Sequence, residues 1–166
     1  MKKLSVLFAA VMMFVSMSIA KAQKVATVDV EAILSMMPEK KKADEQLLSV
    51  FKAKQAEIQK QAQTWQEEVA AYQKAAATMT EAQRTAKEGE LQKKQQNIQQ
   101  MSEAAQKDYT EKQQAAYAPI DKKFMEATEK AAKANGWDFI FDSNTMGLIY
   151  KGGADATAAV KKELGL

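Results

Sequence analysis

Apolar side chains recur every seven residues along a polar stretch that runs from about Pro38 to Gly136. A seam with this spacing is typical of a helix that packs lengthwise against a second helix. Large side chains occupy one column of the seam, and mostly small or aliphatic ones occupy the offset column. The first column contains Phe51, Ile58, Trp65, Tyr72 and Met79, and the second contains Leu48, Gln55, Ala62, Val69 and Ala76.

This stretch is predicted to form two helices, one over about Glu39–Ala77 and the other over Glu81–Asn135, with a turn near residues 78–80. Thr80 and Gln83 have the spacing of a capping box, in which each side chain bonds the other residue's backbone N–H. A helix can therefore restart directly after the turn.

Folding the chain back at this turn places Phe51 opposite Tyr109, so that large apolar residues meet. This match favours an antiparallel hairpin over one continuous rod. Trp65 and Tyr72 would face polar residues and stay partly exposed, and a partly exposed apolar stripe rimmed by charge is a candidate binding surface. Burial of the stripe against the second helix is the alternative, because such seams are normally core. The candidate binding residues are Phe51, Ile58, Trp65, Tyr72, Met79 and Leu91.

The two ends of the chain beyond the leader carry β-prone runs. Residues 25–29 predict one strand, and residues 137–142 and 148–151 predict a β-hairpin, followed by a short helix capped by Asp155. The predicted fold class is therefore α+β, with a long antiparallel coiled-coil hairpin inserted in a small β-rich head. The predicted segments are 1–22 (leader), 23–37 (strand and short helix of the head), 38–136 (helical hairpin) and 137–166 (β-hairpin and final helix of the head).

A head of this size lies near the lower limit for independent folding, and the chain has no Cys to staple it. Association with further copies is the remaining source of stability, so we expect an oligomer joined through the heads. The candidate contact residues are Val28, Phe139, Phe141 and Ile149.

The first residues have the pattern of a secretory signal peptide. A basic start precedes an apolar run over residues 4–15, and Ala20 and Ala22 frame a small-residue cleavage site before Gln23. The sequence therefore predicts export beyond the inner membrane, with removal of residues 1–22. An uncleaved membrane anchor is the alternative.

Composition narrows the function classes. The chain has 24 basic and 21 acidic residues, and three of the bases lie in the leader, so the exported part is neutral. No nucleic-acid partner is expected from this balance. His and Cys are absent, and no phosphate-binding loop, dinucleotide motif or zinc-ligand spacing occurs. We therefore expect neither an enzyme nor a bound cofactor or metal.

The order of these parts resembles the OmpH/Skp family of periplasmic chaperones over essentially the whole exported chain. The resemblance rests on the leader, the polar hairpin and five short runs, which are residues 28–29, 33–34, 38–43, 118–120 and 134–137. It implies a homotrimer whose heads form a barrel-like body, with three hairpins around a cavity. It also implies ATP-independent holding of unfolded outer-membrane β-barrel proteins.

One departure from the family bears on its partners. The hairpin, from Glu39 to Gly136, carries 17 basic and 15 acidic residues, whereas the best-known members of the family are strongly basic. This argues against lipopolysaccharide as a ligand. A structural coiled-coil protein of the cell envelope, attached to the outer membrane and without clients, is the alternative function.

Overall fold

The structure, a computed structural model, describes residues 23–166, and the predicted leader lies outside this range. Two long helices dominate it, flanked in sequence by short strands and helices. In chain order, the elements are β1 (Val25–Val28), α1 (Val30–Leu34), α2 (Pro38–Ala75), a 3-10 turn (Ala76–Thr78), α3 (Glu81–Asn135), β2 (Phe139–Asp142), β3 (Ala154–Asp155) and α4 (Thr157–Leu164).

Helices α2 and α3 lie antiparallel and in contact, which confirms the predicted hairpin. The rings of Phe51 and Tyr109 meet edge to face, with centroids 5.6 Å apart. Nearer the open end of the hairpin, the Tyr117 hydroxyl donates to the Asp44 carboxylate at 2.6 Å. Tyr109 is therefore the partner of Phe51, as predicted.

Local signals explain where the long helices begin and end. Pro38 starts α2, where its missing N–H costs nothing. The predicted capping box at the start of α3 is confirmed, because Thr80 N donates to Gln83 Oε1 at 2.9 Å and Gln83 N donates to Thr80 Oγ1 at 3.3 Å. Gly136 follows α3 with φ of 68°, a left-handed conformation that favours glycine. Helix α3 continues through Pro119 without a break.

In the described part of the chain, the sheet has three strands in the order β2-β1-β3, and both pairings are parallel. Val25 lies beside Phe139, and Ala26 lies beside Ala154. The central strand precedes the helical hairpin in sequence, and both edge strands follow it. In chain order, the helical hairpin is therefore inserted between the central strand and the two edge strands of one sheet.

The predicted β-hairpin of residues 137–151 is wrong. Strand β2 forms, but residues 148–151 lie outside the strands, and Ala154–Asp155 occupies the third position, parallel to β1. The apolar, β-prone composition of residues 148–151 indicates only that the segment fits a pleated surface. A strand also needs a neighbour for its N–H and C=O groups. The predicted hairpin would place residues 148–151 on the outer edge of β2, and among the described residues the order β2-β1-β3 has no strand at that edge.

Asp155 stabilises the start of α4, as predicted. Its Oδ1 accepts a hydrogen bond from Thr157 N at 2.8 Å. Hydrogen bonding from the Thr157 side chain, and then from its backbone, lowers the pKa of Asp155. Thr157 Oγ1 also accepts from Asp29 N at 2.9 Å, so this cap ties α4 to the end of β1.

The described chain divides into two compact units. The sheet unit contains residues 23–31 and Ala127–Gly165, and the hairpin unit contains Ala32–Glu126. No helix within residues 23–166 is long and apolar enough to cross a membrane.

We predict opposite effects of alanine at two glycines. Gly89 lies inside α3, and an added Cβ would meet nothing within 4 Å, so Gly89→Ala should stabilise the fold by about 0.5–1 kcal/mol. Gly136→Ala should destabilise it by about 1–2 kcal/mol, because its φ of 68° strains any residue with a Cβ. Urea unfolding followed by circular dichroism measures both variants. Equal stability of Gly136→Ala and the wild type would show that the turn after α3 relaxes freely.

Candidate functional site

The candidate binding residues lie along the contact between α2 and α3, but they are not equally accessible. Phe51 is 44 % exposed and Leu91 only 7 %. Ile58, Trp65, Tyr72 and Met79 are half-buried. The stripe is therefore most open at Phe51. In this conformation, Leu91 belongs to the interior of the hairpin rather than to its surface.

Trp65 closes the middle of the hairpin. Its indole Nε1 donates a hydrogen bond to the backbone oxygen of Leu91 at 2.9 Å. A half-buried indole normally needs such a partner, and here the facing helix supplies it. Trp65 stays partly exposed, as expected, but its indole N–H is satisfied by the facing helix, and the nearby Lys94 bonds Glu68 at 2.5 Å.

Tyr72 is tied in the same way, one heptad nearer the turn. Its hydroxyl donates to Glu88 Oε1, and this hydrogen bond raises the pKa of Tyr72. The ring still has an exposed part, but its polar end is satisfied by the facing helix. Lys87, on the facing helix, pairs with Glu90 at 3.0 Å.

Charged side chains beside these rings compensate one another. Glu68 bonds Lys94 and lies 3.9 Å from Lys87. Lys94 also lies 3.4 Å from Glu90. The hydrogen bond that Lys94 donates to Glu68 raises the pKa of Lys94, and the hydrogen bond from Lys87 lowers the pKa of Glu90. This part of the hairpin therefore presents a mixed surface rather than a basic patch.

A second polar cluster joins α2 to α3 at the end away from the turn. Lys40 Nζ bonds Asp44 at 2.6 Å and lies over the Tyr117 ring, 4.6 Å from its centroid. The Tyr117 hydroxyl bonds the same carboxylate. Hydrogen bonding from Lys40, followed by that from Tyr117, lowers the pKa of Asp44. Sequence reasoning missed this cluster, although the i, i+4 spacing of Lys40 and Asp44 was a visible signal.

Between the Trp65 region and the Lys40–Asp44–Tyr117 cluster, the hairpin contains a cavity of about 220 Å³ that is open to solvent. We call it the seam cavity. Its apolar lining includes Phe51 and Ile58 from α2 and Ala105 and Tyr109 from α3. The heptad pattern identified the α2 residues but did not reveal that the facing residues leave a space.

In the sheet unit, the candidate oligomer residues separate into different positions. Val28 is buried, at 3 % exposure, so it belongs to the interior of a single chain. Phe139 and Phe141 are 46 % and 51 % exposed, and their rings stack 6.3 Å apart. Ile149 is 99 % exposed and lies outside the strands. Sequence reasoning missed Val25, which pairs with Phe139 in register and is 45 % exposed on the same face.

The sheet unit thus buries small side chains and exposes large ones. Its buried apolar residues are four alanines and two valines, which are Ala26, Val28, Ala127, Ala131, Ala156 and Val160. Its exposed large residues include Val25, Phe139, Phe141, Met146, Ile149 and Tyr150. An apolar surface of this kind is typical of a protein–protein contact.

Comparison with known proteins places this architecture among named relatives. The family model described as "Outer membrane protein (OmpH-like)" matches residues 24–164. The chain is 24 % identical to the chaperone protein Skp of Pectobacterium atrosepticum over 149 residues, which cover 90 % of each chain. It is 26 % identical to the Skp of Photorhabdus luminescens over 143 residues, 86 % of each chain. The crystal structure of an OmpH-like protein from Caulobacter crescentus has the same fold, with a TM-score of 0.69, 17 % identity and coverage of 86 % of this chain and 83 % of that one.

We predict that Asp44→Asn weakens the hairpin in a pH-dependent way. Because the folded-state pKa of Asp44 is lowered, its stabilisation is present above the ordinary aspartate pKa of about 3.9 and is lost as pH falls through the lower folded value. The loss at pH 7 should be on the order of 0.5 kcal/mol, because the Asp44 side chain is 45 % exposed. Thermal unfolding of the variant and the wild type at pH 7, 4 and 2.5 should show a gap that narrows and closes.

Glu45→Gln, at the exposed neighbouring position, is the matched control and should show a smaller gap at pH 7. A gap for Asp44→Asn that stays constant down to pH 2.5 would contradict an ionic origin.

Proposed function

Because the chain belongs to the OmpH-like family, we propose that it is an ATP-independent holdase chaperone of the periplasm. Its clients would be unfolded outer-membrane β-barrel proteins, which it keeps from aggregating during transit. The observation that carries this proposal is the incompletely covered apolar stripe of the hairpin, open at Phe51 and the seam cavity. The curated relatives named chaperone protein Skp support it.

Holding of this kind needs many weak contacts rather than one tight site. A hairpin of two helices has no third layer, so part of its seam faces solvent and can meet an unfolded chain. Several hairpins acting together would add avidity. We therefore propose that the protein works as a homo-oligomer, a homotrimer by resemblance, whose subunits meet through Phe139, Phe141 and the exposed residues around them.

The charge pattern limits the partners that we propose. The Lys87, Lys94 and Lys40 ammonium groups each lie beside a carboxylate of the same hairpin. Nucleic acid and lipopolysaccharide, which both attract clusters of uncompensated cations, are therefore not proposed as partners. The grip on clients would be mainly apolar.

One observation favours a second candidate, a structural coiled coil of the cell envelope without clients. Trp65 and Tyr72 use their polar groups to fasten α2 to α3, as they would in a purely structural hairpin. The two candidate functions differ in whether the exposed part of the apolar stripe binds unfolded protein.

Suppression of client aggregation tests the proposed holdase function. The protein without residues 1–22, at stoichiometric amounts, should suppress the aggregation of an outer-membrane β-barrel protein diluted from urea, as measured by light scattering. Added ATP should change nothing, because the proposed binding uses no nucleotide. A failure to suppress aggregation of several different barrel proteins would favour the structural coiled coil.

Replacement of Phe139 and Phe141 tests whether their face of the sheet is the contact between copies of the chain. Phe139→Ser/Phe141→Ser should weaken association at least tenfold, since burial of one Phe contributes about 1.5–3 kcal/mol and 1.4 kcal/mol corresponds to tenfold. Native mass spectrometry over a dilution series measures the assembly. Met125→Ser, at a 69 % exposed position of the hairpin unit, is the matched control and should leave the mass unchanged. An unchanged dilution profile for the double variant would reject this face.

A further inference from the structure

The seam cavity arises from a mismatch in side-chain size between the facing helices. On α2, the large Phe51 and Ile58 are separated by the polar Gln55. On α3, the facing wall is built from Ser102, Ala105 and Tyr109. Ser102 and Ala105 are too short to reach across, so about 220 Å³ stays unfilled.

Apolar side chains from both helices line the seam cavity. The Phe51 and Tyr109 rings, one from each helix, contact each other edge to face, with centroids 5.6 Å apart. Ile58 and Ala105, both half-buried, provide further apolar surface. Such surface gains dispersion contacts when an apolar group replaces the water against it.

The size of the seam cavity selects a single side chain. An apolar protein cavity of roughly 150 Å³ accommodates benzene. The seam cavity, at about 220 Å³, therefore has room for one benzyl or indole group.

The charges at the rim of the seam cavity select a neutral ligand. Lys54 Nζ already pairs with Glu57 at 2.9 Å, and Asp108 lies with both of them along an adjoining recess. Asp108 in turn pairs with Lys112, so these groups offer a charged ligand no uncompensated partner. The other polar rim residues, Gln55 and Gln106, offer neutral amides, which complement the backbone amides of an extended peptide.

We propose that the seam cavity is a subsite for one aromatic side chain of an extended, uncharged client segment. The ring enters between Phe51 and Ala105, and the peptide backbone on either side crosses the glutamine amides. This inference rests on the proposed holdase function and assigns its grip to one part of the hairpin. The Trp65 region does not share this role, because its indole is already bonded to the facing helix.

The test uses a filled cavity and a defined probe. The probe is a capped nonapeptide of Gly, Ser and Thr with one central Phe, and the comparison peptide has Ser in place of that Phe. Ala105→Leu places a side chain inside the seam cavity. Ala62→Leu is the matched control, because Ala62 is a half-buried alanine of the same seam that does not line the cavity.

We expect the Phe peptide to shift the Ile58 methyl signal in NMR titrations of the whole exported chain. Ala105→Leu should weaken binding at least fivefold, Ala62→Leu less than twofold, and the Ser peptide should bind at least fivefold more weakly than the Phe peptide. Absence of Phe-peptide binding to the wild type, equal binding of the two peptides, or undiminished binding to Ala105→Leu overturns the proposal.

A second pair of variants covers the case in which Ala105→Leu disturbs folding, as judged by circular dichroism and native mass. Phe51→Ala removes one wall of the seam cavity, and Leu48→Ala removes a 51 % exposed apolar residue of α2 outside it. Only Phe51→Ala should weaken binding of the Phe peptide, and equal losses would overturn the subsite.

Light-scattering assays on the same proteins separate the two proposals. A wild type that binds the Phe peptide but suppresses no aggregation keeps the subsite and rejects the holdase. A wild type that suppresses aggregation while Ala105→Leu binds the peptide normally keeps the holdase and rejects the subsite.

Discussion

The antiparallel contact between α2 and α3 is the constraint on which the rest of the hairpin depends. Along the seam, α2 and α3 cover each other, so a large side chain on one helix depends on what the facing helix offers. Where the facing helix offers a matching group, as Leu91 does for Trp65, the seam closes with a hydrogen bond of 2.9 Å. Where it offers only Ser102 and Ala105, the seam stays open. The same packing therefore stabilises the hairpin and leaves part of its apolar seam uncovered.

Electrostatic pairing follows from this geometry. Long polar helices need charge for solubility, and two such helices side by side bring opposite charges together, as in Glu68 with Lys94 and Glu39 with Lys123. These exposed pairs add little stability individually. Their larger effect is to cancel the local field, so that an approaching ligand meets an almost neutral arm. A surface of this kind discriminates by shape and apolar contact rather than by charge.

Local sequence signals predicted the long helices well, because heptad spacing, the Thr80–Gln83 capping box and Gly136 act within a few residues of one another. Non-local features were harder. Residues 148–151 have a strand-like pattern, but β3 occupies the edge of β1 instead, and no local signal encodes that choice. The hydrogen bond of Trp65 depends on a helix offset of a few residues, and the seam cavity depends on relative side-chain size. Periodicity shows which residues face a partner, but not how completely that partner covers them.

The sheet unit also leaves large apolar side chains uncovered. Fully burying a large apolar side chain contributes about 1.5–3 kcal/mol, whereas alanine contributes far less because it adds a single methyl group. This unit buries mainly alanines and leaves Phe139 and Phe141 about half exposed, so its own core uses only part of the apolar surface that the sequence supplies. The parallel register places Val25 beside Phe139 and Thr27 beside Phe141, which gathers that unused surface on one face of the sheet. A second copy that covers this face would provide the burial that the single chain lacks. Folding of the sheet unit and assembly of several arms would then be one coupled event.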